Sequence, residues 1–144
     1  MKFNPKHYQY MQLALDEAKI AYNKGEVPVG CVIANNKGFL SKAHNQVENL
    51  NNPTMHAEII AINDACKKLG QKYLEEYNIY ITLEPCLMCR KAIAMVRLNK
   101  VFFATKETKG IVENENQEIF EGIMQEEAKK LLTGFFQNLR AKKV

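Results

Sequence analysis

Two short stretches carry side chains whose types and spacing could do chemistry: His56-Ala57-Glu58 and Pro85-Cys86-Leu87-Met88-Cys89. Cysteines three positions apart share a helix face, and thiolates at a helix N-terminus are stabilised by the free amides there. Adding the one imidazole gives a Cys2His set. Such a set leaves the fourth corner of tetrahedral zinc for water, whereas structural zinc sites are normally closed by four protein ligands. An open corner points to catalysis, because zinc lowers the pKa of bound water to about 7 and a nearby carboxylate can then carry protons to a leaving group. Glu58 is the candidate carrier and His56, Cys86 and Cys89 the candidate ligands. His56 and Glu58, two apart, do not share a helix face. The pair fits one metal only at a helix's first turn, where a ligand lying end-on to the axis is reached from more than one direction.

The elements that must hold these residues follow from periodicity and punctuation. Asn4 and Pro5 cap and start a helix whose Met11, Leu15, Ala18 and Tyr22 recur at three- and four-residue steps until Gly25. Residues 29–34 are rich in β-formers, Asn35-Asn36-Lys37-Gly38 is turn chemistry, and residues 39–45 return as a hairpin arm. A second helix is expected to open at Asn52-Pro53 or Thr54 and to stop at Gly70. Residues 78–83 read as a strand, a third helix is expected from Pro85 to about Arg97, residues 100–104 form a fourth strand, and a shorter fifth lies near residues 118–120. Helices close the chain, with Glu126 and Lys130 one turn apart as an ion pair. Strands alternating with helices imply an α/β layered fold.

Composition agrees. The 144 residues, 47% hydrophobic and 25% charged, suit one globular domain over residues 1–144 and exclude collagen-like, disordered and coiled-coil chains. A net charge of +4 permits an anionic partner without requiring one. No apolar run approaches the roughly 18 residues of a membrane span, and the first ten residues carry Lys2, Lys6 and His7, so membrane insertion and secretion are not expected. Four cysteines are too few for a disulfide scaffold, and two stand as Cys-x-x-Cys, which places the chain in a reducing, cytoplasmic setting.

The remaining residues of interest have bland explanations. Cys31 and Cys66 lack a His or Cys at ligand spacing and read as small buried hydrophobes. A further ligand from His7 or His44 would block the water position, so both read as hydrogen-bonded or surface residues. Glu84 reads as a carboxylate capping the third helix, Phe135-Phe136 as core packing, and Asn45 as a turn residue at a strand end.

His-x-Glu with Pro-Cys-x-x-Cys is the signature of the zinc nucleobase deaminases. With Glu26-Val27-Pro28-Val29-Gly30, Asn45, Pro53-Thr54-Met55-His56-Ala57-Glu58 and Thr82-Leu83-Glu84-Pro85-Cys86-Leu87-Met88-Cys89, the chain closely resembles the bacterial tRNA-specific adenosine deaminase family over nearly its whole length. Val101-Phe102-Phe103-Ala104 and Phe135-Phe136 with the basic residues after them are looser matches.

The resemblance implies a three-layer α/β/α sandwich on a five-stranded mixed sheet, cytidine deaminase-like, and a homodimer whose subunits help form each active site. It implies one zinc per subunit on His56, Cys86 and Cys89, with Glu58 as proton shuttle. Asn45 would hydrogen-bond the target nucleotide and Glu107 would lie near it. The reaction implied is attack of an activated water on carbon 6 of an extruded adenine in a tRNA anticodon loop, turning wobble adenosine into inosine.

The chain departs from the family after Gly110, where a Gly/Ala-rich segment is usual and this sequence runs Ile111-Val112-Glu113-Asn114-Glu115-Asn116-Gln117-Glu118. Residues 111–127 hold six Glu and no Lys or Arg, so this stretch is expected to face away from phosphate. Arg90, Lys91, Arg97, Lys100, Lys106 and Lys109, with the five basic residues of 128–144, are expected to form the phosphate-facing surface. The departure keeps open a deaminase of a free nucleobase or nucleoside such as cytosine, guanine or cytidine. A noncatalytic RNA-binding subunit with structural zinc is the third reading, against which Glu58 stands, because a retired site needs no proton carrier.

Overall fold

The structure, a computed structural model, describes residues 3–106 and 117–142. Asn4 caps the first helix, α1 (Pro5–Asn23), by accepting the His7 N–H at 3.1 Å, with Pro5 preset for the first turn. The hairpin of β1 (Gly30–Asn35) and β2 (Gly38–His44) follows, then α2 (Ala57–Leu69), β3 (Asn78–Leu83), α3 (Leu87–Met95), β4 (Lys100–Thr105), β5 (Glu118–Glu121) and α4 (Gln125–Ala141). The sheet order is β2-β1-β3-β4-β5. The β1 pairings are antiparallel, and β3, β4 and β5 run parallel, so the sheet is mixed as expected.

Alternation along the strands divides the core. Cys31, Ile33, Ile79, Ile81, Val101 and Phe103 face α2 and α3. Val32, Ala34, Tyr80, Phe102 and Ala104 face the opposite side with residues of α1 and α4. Three layers result. On the second face Tyr80, Phe102 and Phe120 are register partners across β3, β4 and β5, and their rings stack at 4.7 and 4.9 Å. Gly30 lets α1 lie directly on β1: a Cβ there would stand 1.8 Å from the Ala14 carbonyl oxygen.

The helix starts differ from the sequence reading. Asn52 Oδ1 accepts the Thr54 N–H at 3.0 Å and the Thr54 hydroxyl at 2.7 Å, a local turn that keeps residues 52–55 out of α2. That helix begins at Ala57 with His56 as its N-cap. Likewise α3 begins at Leu87 with Cys86 as N-cap, not at Pro85, and stops at Met95 before Arg97, whose φ is +60°. A single helix closes the described chain, and no ion pair joins Glu126 to Lys130 among the described residues.

One edge of the sheet collects the chemistry. Gly30 at the start of β1 pairs with His44 at the end of β2, and its N–H donates to Thr82 Oγ1 near the end of β3 at 3.0 Å. Leu83 pairs with Thr105 at the end of β4. The loops that lead into α2 and α3 leave from this edge.

Candidate metal centre and catalytic cleft

Two helix N-termini meet at this edge, and each presents its N-cap side chain to the other. His56 Nδ1 stands 3.6 Å from Cys86 Sγ and 3.5 Å from Cys89 Sγ. All three donor atoms lie within 4.8 Å of one another, and no other cluster of this kind occurs among the described residues. For tetrahedral zinc with Zn–S about 2.3 Å and Zn–N about 2.05 Å, the expected N···S separation is about 3.6 Å. The set therefore fits a zinc ion, with Nδ1 as the histidine ligand and two thiolates. Burial first, then the neighbouring Glu58 and Cys86, pushes the Cys89 thiol far up from its ordinary range. A divalent cation at this point reverses that balance, since a coordinating thiol is deprotonated outright.

Glu58, in the first turn of α2, is 3% exposed. Burial holds its carboxyl above the ordinary carboxylate range, partly offset by its backbone hydrogen bond and by His56 and Cys89. Its Oε1 is buried with no hydrogen-bond partner. An orphaned acceptor beside an open ligand set is costly unless water or substrate meets it. His56 caps α2 and Glu58 stands in its first turn, and the two line the same cleft, with the Glu58 carboxyl interacting with His56 and Cys89.

The site opens into a cleft of about 650 Å³, within the usual range for small-molecule pockets. His56, Glu58, Cys86, Asn45 and Glu84 supply its polar wall, and Val27, Val29, Leu83, Phe135, Phe136 and Leu139 its apolar one. Asn45 is 8% exposed and its Oδ1 accepts the Ala57 N–H at 2.8 Å. Because Ala57 donates, the amide must present its oxygen there, which leaves Nδ2 as the donor. The structural and the substrate-binding readings of Asn45 are therefore compatible: one end holds α2, the other is available to the cleft. The family profile for the cytidine and deoxycytidylate deaminase zinc-binding region matches residues 4–105. A curated tRNA-specific adenosine deaminase of Aquifex aeolicus (strain VF5) is 44% identical over 142 residues, covering 91% of this chain and 94% of that protein.

The chain belongs to the tRNA-specific adenosine deaminase family. A structure from a study of A-to-I editing by tRNA:A34 deaminases at the wobble position of transfer RNA superposes with a TM-score of 0.82 at 32% identity, covering 86% of this chain and 99% of that one. The guanine deaminase of Bacillus subtilis superposes with a TM-score of 0.67 at 35% identity, covering 74% of this chain and 67% of that one. The scaffold is shared by proteins named for different bases, so the fold alone does not choose the substrate.

Other expectations for this deaminase chain resolve as follows. His7, in the first turn of α1, accepts the N–H of the cap residue Asn4 through Nδ1, and His44 Nδ1 pairs with Glu17 Oε1 at 3.1 Å inside the fold, so neither joins the donor set. Cys31 is fully buried and Cys66 half-buried, both apart from it. The N-cap of α3 is Cys86, and Glu84 is buried two residues before it on the cleft wall. Phe135 packs on Tyr22, whereas Phe136 is 41% exposed and is not core. Glu107 lies outside the described residues.

Glu26 has a role that sequence reasoning missed. It is 1% exposed, and its carboxylate accepts the Glu48 N–H at 3.0 Å and the Asn49 N–H at 2.7 Å, clamping the loop that leads to His56. The signal was an acid before an apolar Val-Pro-Val-Gly run, a composition that needs a buried partner for the charge. The expected basic surface is corrected in part. Arg90 is buried, Arg97 lies 3.9 Å over the Tyr73 ring and pairs with Glu75, and Lys100 sits over Phe120. These groups face different sides of the fold.

Proposed function

We propose that this chain is one deaminase domain over residues 1–144 that hydrolyses the exocyclic amine of adenosine at the wobble position of tRNA, giving inosine and ammonia. The convergence of His56, Cys86 and Cys89 at zinc spacing, with the orphaned Glu58 oxygen beside them in the cleft, carries the reading. The full-length likeness to tRNA-specific adenosine deaminases supports the substrate. His56 would hold one zinc per subunit through Nδ1, with Cys86 and Cys89 through Sγ. When bound, zinc supplies Lewis acidity that makes water a nucleophile near neutral pH. Glu58 takes a proton from the attacking water, delivers one to the purine ring as carbon 6 is attacked, and carries one to the departing amine. Asn45 donates from Nδ2 to the target nucleotide and, through its oxygen, fixes the first turn of α2 that aims Glu58. Glu107 belongs to the same reading as a residue near the nucleotide.

The working enzyme on this reading is a cytoplasmic homodimer. Four free cysteines suit a reducing compartment, and Leu87 and Met95, 64% and 76% exposed on α3, suit a face covered by a second copy.

The test is an assay of inosine and ammonia after incubating zinc-loaded protein with an anticodon stem-loop bearing wobble adenosine, and separately with free guanine, cytosine and adenosine. Inosine in the stem-loop is expected. Deamination of free guanine alone would replace this reading with the free-base one that the Bacillus subtilis likeness favours. Glu58→Gln is expected to keep stoichiometric zinc and lose at least about a hundredfold in turnover, whereas Cys86→Ala is expected to lose the metal as well.

A further inference from the structure

The end of β2 carries a buried polar pair that the chemistry above does not use. His44 Nδ1 stands 3.1 Å from Glu17 Oε1 of α1, and both residues are 8% exposed. Alternation sets the side of the sheet: Ser41 and Ala43 face α2, the first with its hydroxyl on the Ala61 carbonyl at 2.9 Å, so His44 faces α1. Its register partner is Gly30, where a side chain would collide with the α1 backbone at Ala14 and Ala18. Glu17, between those two alanines in sequence, therefore meets His44 where the helix lies directly on the sheet.

Packing alone gives no reason for the pair. The face around it is built of Val32, Ala34, Phe102 and Ala104 with Met11 and Leu15 of α1, and apolar side chains of similar size in place of a buried polar pair are often neutral or stabilising. His44 Nε2 is moreover buried with no hydrogen-bond partner, which makes the imidazole costlier still. What a hydrogen bond supplies and apolar contact does not is direction. The carboxylate accepts, so Nδ1 carries the hydrogen, and the ring is fixed in plane and rotamer by a group on another element.

The next residue needs that direction. As the outer strand, β2 is hydrogen-bonded to β1 alone among the described residues, so its end is held from one side. Asn45 follows at once, with its N–H on the Val29 carbonyl at 3.1 Å and its Oδ1 on the Ala57 N–H at 2.8 Å. A twist at residue 44 would swing the Asn45 amide away from Ala57 and from the cleft.

We propose that Glu17 and His44 are positioning residues for Asn45: their hydrogen bond ties the end of the outer strand to α1 and so holds the Asn45 amide on Ala57 and toward the nucleotide. The nucleotide end of this inference rests on the tRNA reading, and the Ala57 end does not.

The experiment compares the zinc-loaded parent with Glu17→Leu/His44→Leu and Glu17→Gln by calorimetry, by amide hydrogen exchange at Ala57 and by kcat/KM on the anticodon stem-loop. The double variant puts apolar groups in place of the pair. It is expected to match the parent in melting temperature and zinc content, to exchange the Ala57 N–H faster, and to lose about 10- to 100-fold in kcat/KM, the scale of an ångström's misplacement. Glu17→Gln still offers an oxygen to Nδ1 and is expected to lie near the parent in exchange and in kcat/KM. A double variant with parental Ala57 exchange or parental kcat/KM, one whose losses follow a lowered melting temperature, or a Glu17→Gln protein as impaired as the double variant would overturn the proposal. A parent that forms no inosine in the stem-loop would overturn the tRNA reading instead, and Ala57 exchange would then decide the positioning by itself.

Discussion

Asn45 offers the sharpest division between holding the fold and touching the substrate, because its amide oxygen is bonded inside the fold while, on the proposed reading, its amide nitrogen meets the nucleotide. Its Oδ1 satisfies the Ala57 N–H, a fully buried donor between His56 and Glu58 at 2.8 Å. In Asn45→Ala that donor is left unpaired inside the protein, at a cost of about 1–3 kcal/mol. For 144 residues and an unfolding entropy of about 2.1 cal/mol/K per residue, that lowers the melting temperature by about 3–10 °C. Asn45→Asp keeps an oxygen facing Ala57, at a helix N-terminus where negative charge is favoured, but removes the Nδ2 donor. It is therefore expected to melt closer to the parent than Asn45→Ala does, while both variants lose about 5- to 150-fold in kcat/KM on the stem-loop, the cost of leaving a desolvated acceptor on the base unpaired. Calorimetry and steady-state kinetics on the three zinc-loaded proteins decide it. Full activity in Asn45→Asp would show that Nδ2 touches nothing in the transition state. An Asn45→Ala protein as stable as the parent would show that the bond to Ala57 holds nothing.

Two further outcomes follow from the fold. Gly30→Ala places a Cβ against the Ala14 carbonyl and the Ala18 amide of α1, backbone atoms that cannot swing aside, so a loss of about 1–3 kcal/mol or more is expected in urea unfolding; an unchanged midpoint would refute the close approach. Burial, with Lys100 adding to it, holds the His7 imidazole below the ordinary histidine value. The unfolded chain then takes up the proton first, so this contribution is intact above about pH 6.5 and declines as acidification proceeds toward the folded-state pKa. The urea midpoint of the parent is expected to fall more between pH 7.5 and 5 than that of His7→Gln; parallel pH profiles would count against it.

What was legible in the sequence were the features whose physics is local. The third strand was read over the residues it occupies, and the other strands to within about a residue, because alternating burial is written along each segment. The meeting of His56, Cys86 and Cys89 was legible because few residue types bind zinc and their spacing limits where they can meet. The starts of α2 and α3 were misplaced because Asn-Pro and Glu-Pro open helices and turns alike, and only the bond of Asn52 back to Thr54 decides between them. Glu26 and Glu17 act on residues more than twenty positions away, which no local pattern reveals. The basic stretch at residues 90–109 looked like one surface in sequence, but a helix, a bend and a strand send Arg90, Arg97 and Lys106 in separate directions.

The late helix starts are also what makes the site electrostatically workable. Two thiolates and a carboxylate would bring three negative charges into a mostly buried space; burial already holds the Glu58 carboxyl and the Cys89 thiol above their ordinary ranges, and for Cys89 the neighbouring Glu58 and Cys86 add to it. A dication cancels two of these charges. The first turns of α2 and α3 both point into the site, and each helix N-terminus carries about half a positive charge, enough together to offset most of the third. With a bound dication the sum would be near zero, and Glu58 would hold or release a proton at little cost, as the proposed proton carrier requires. Had α2 begun at Asn52 and α3 at Pro85, His56 and Cys86 would lie within the first turns instead of capping them. The helix termini would then point past the donors, and this compensation would be lost.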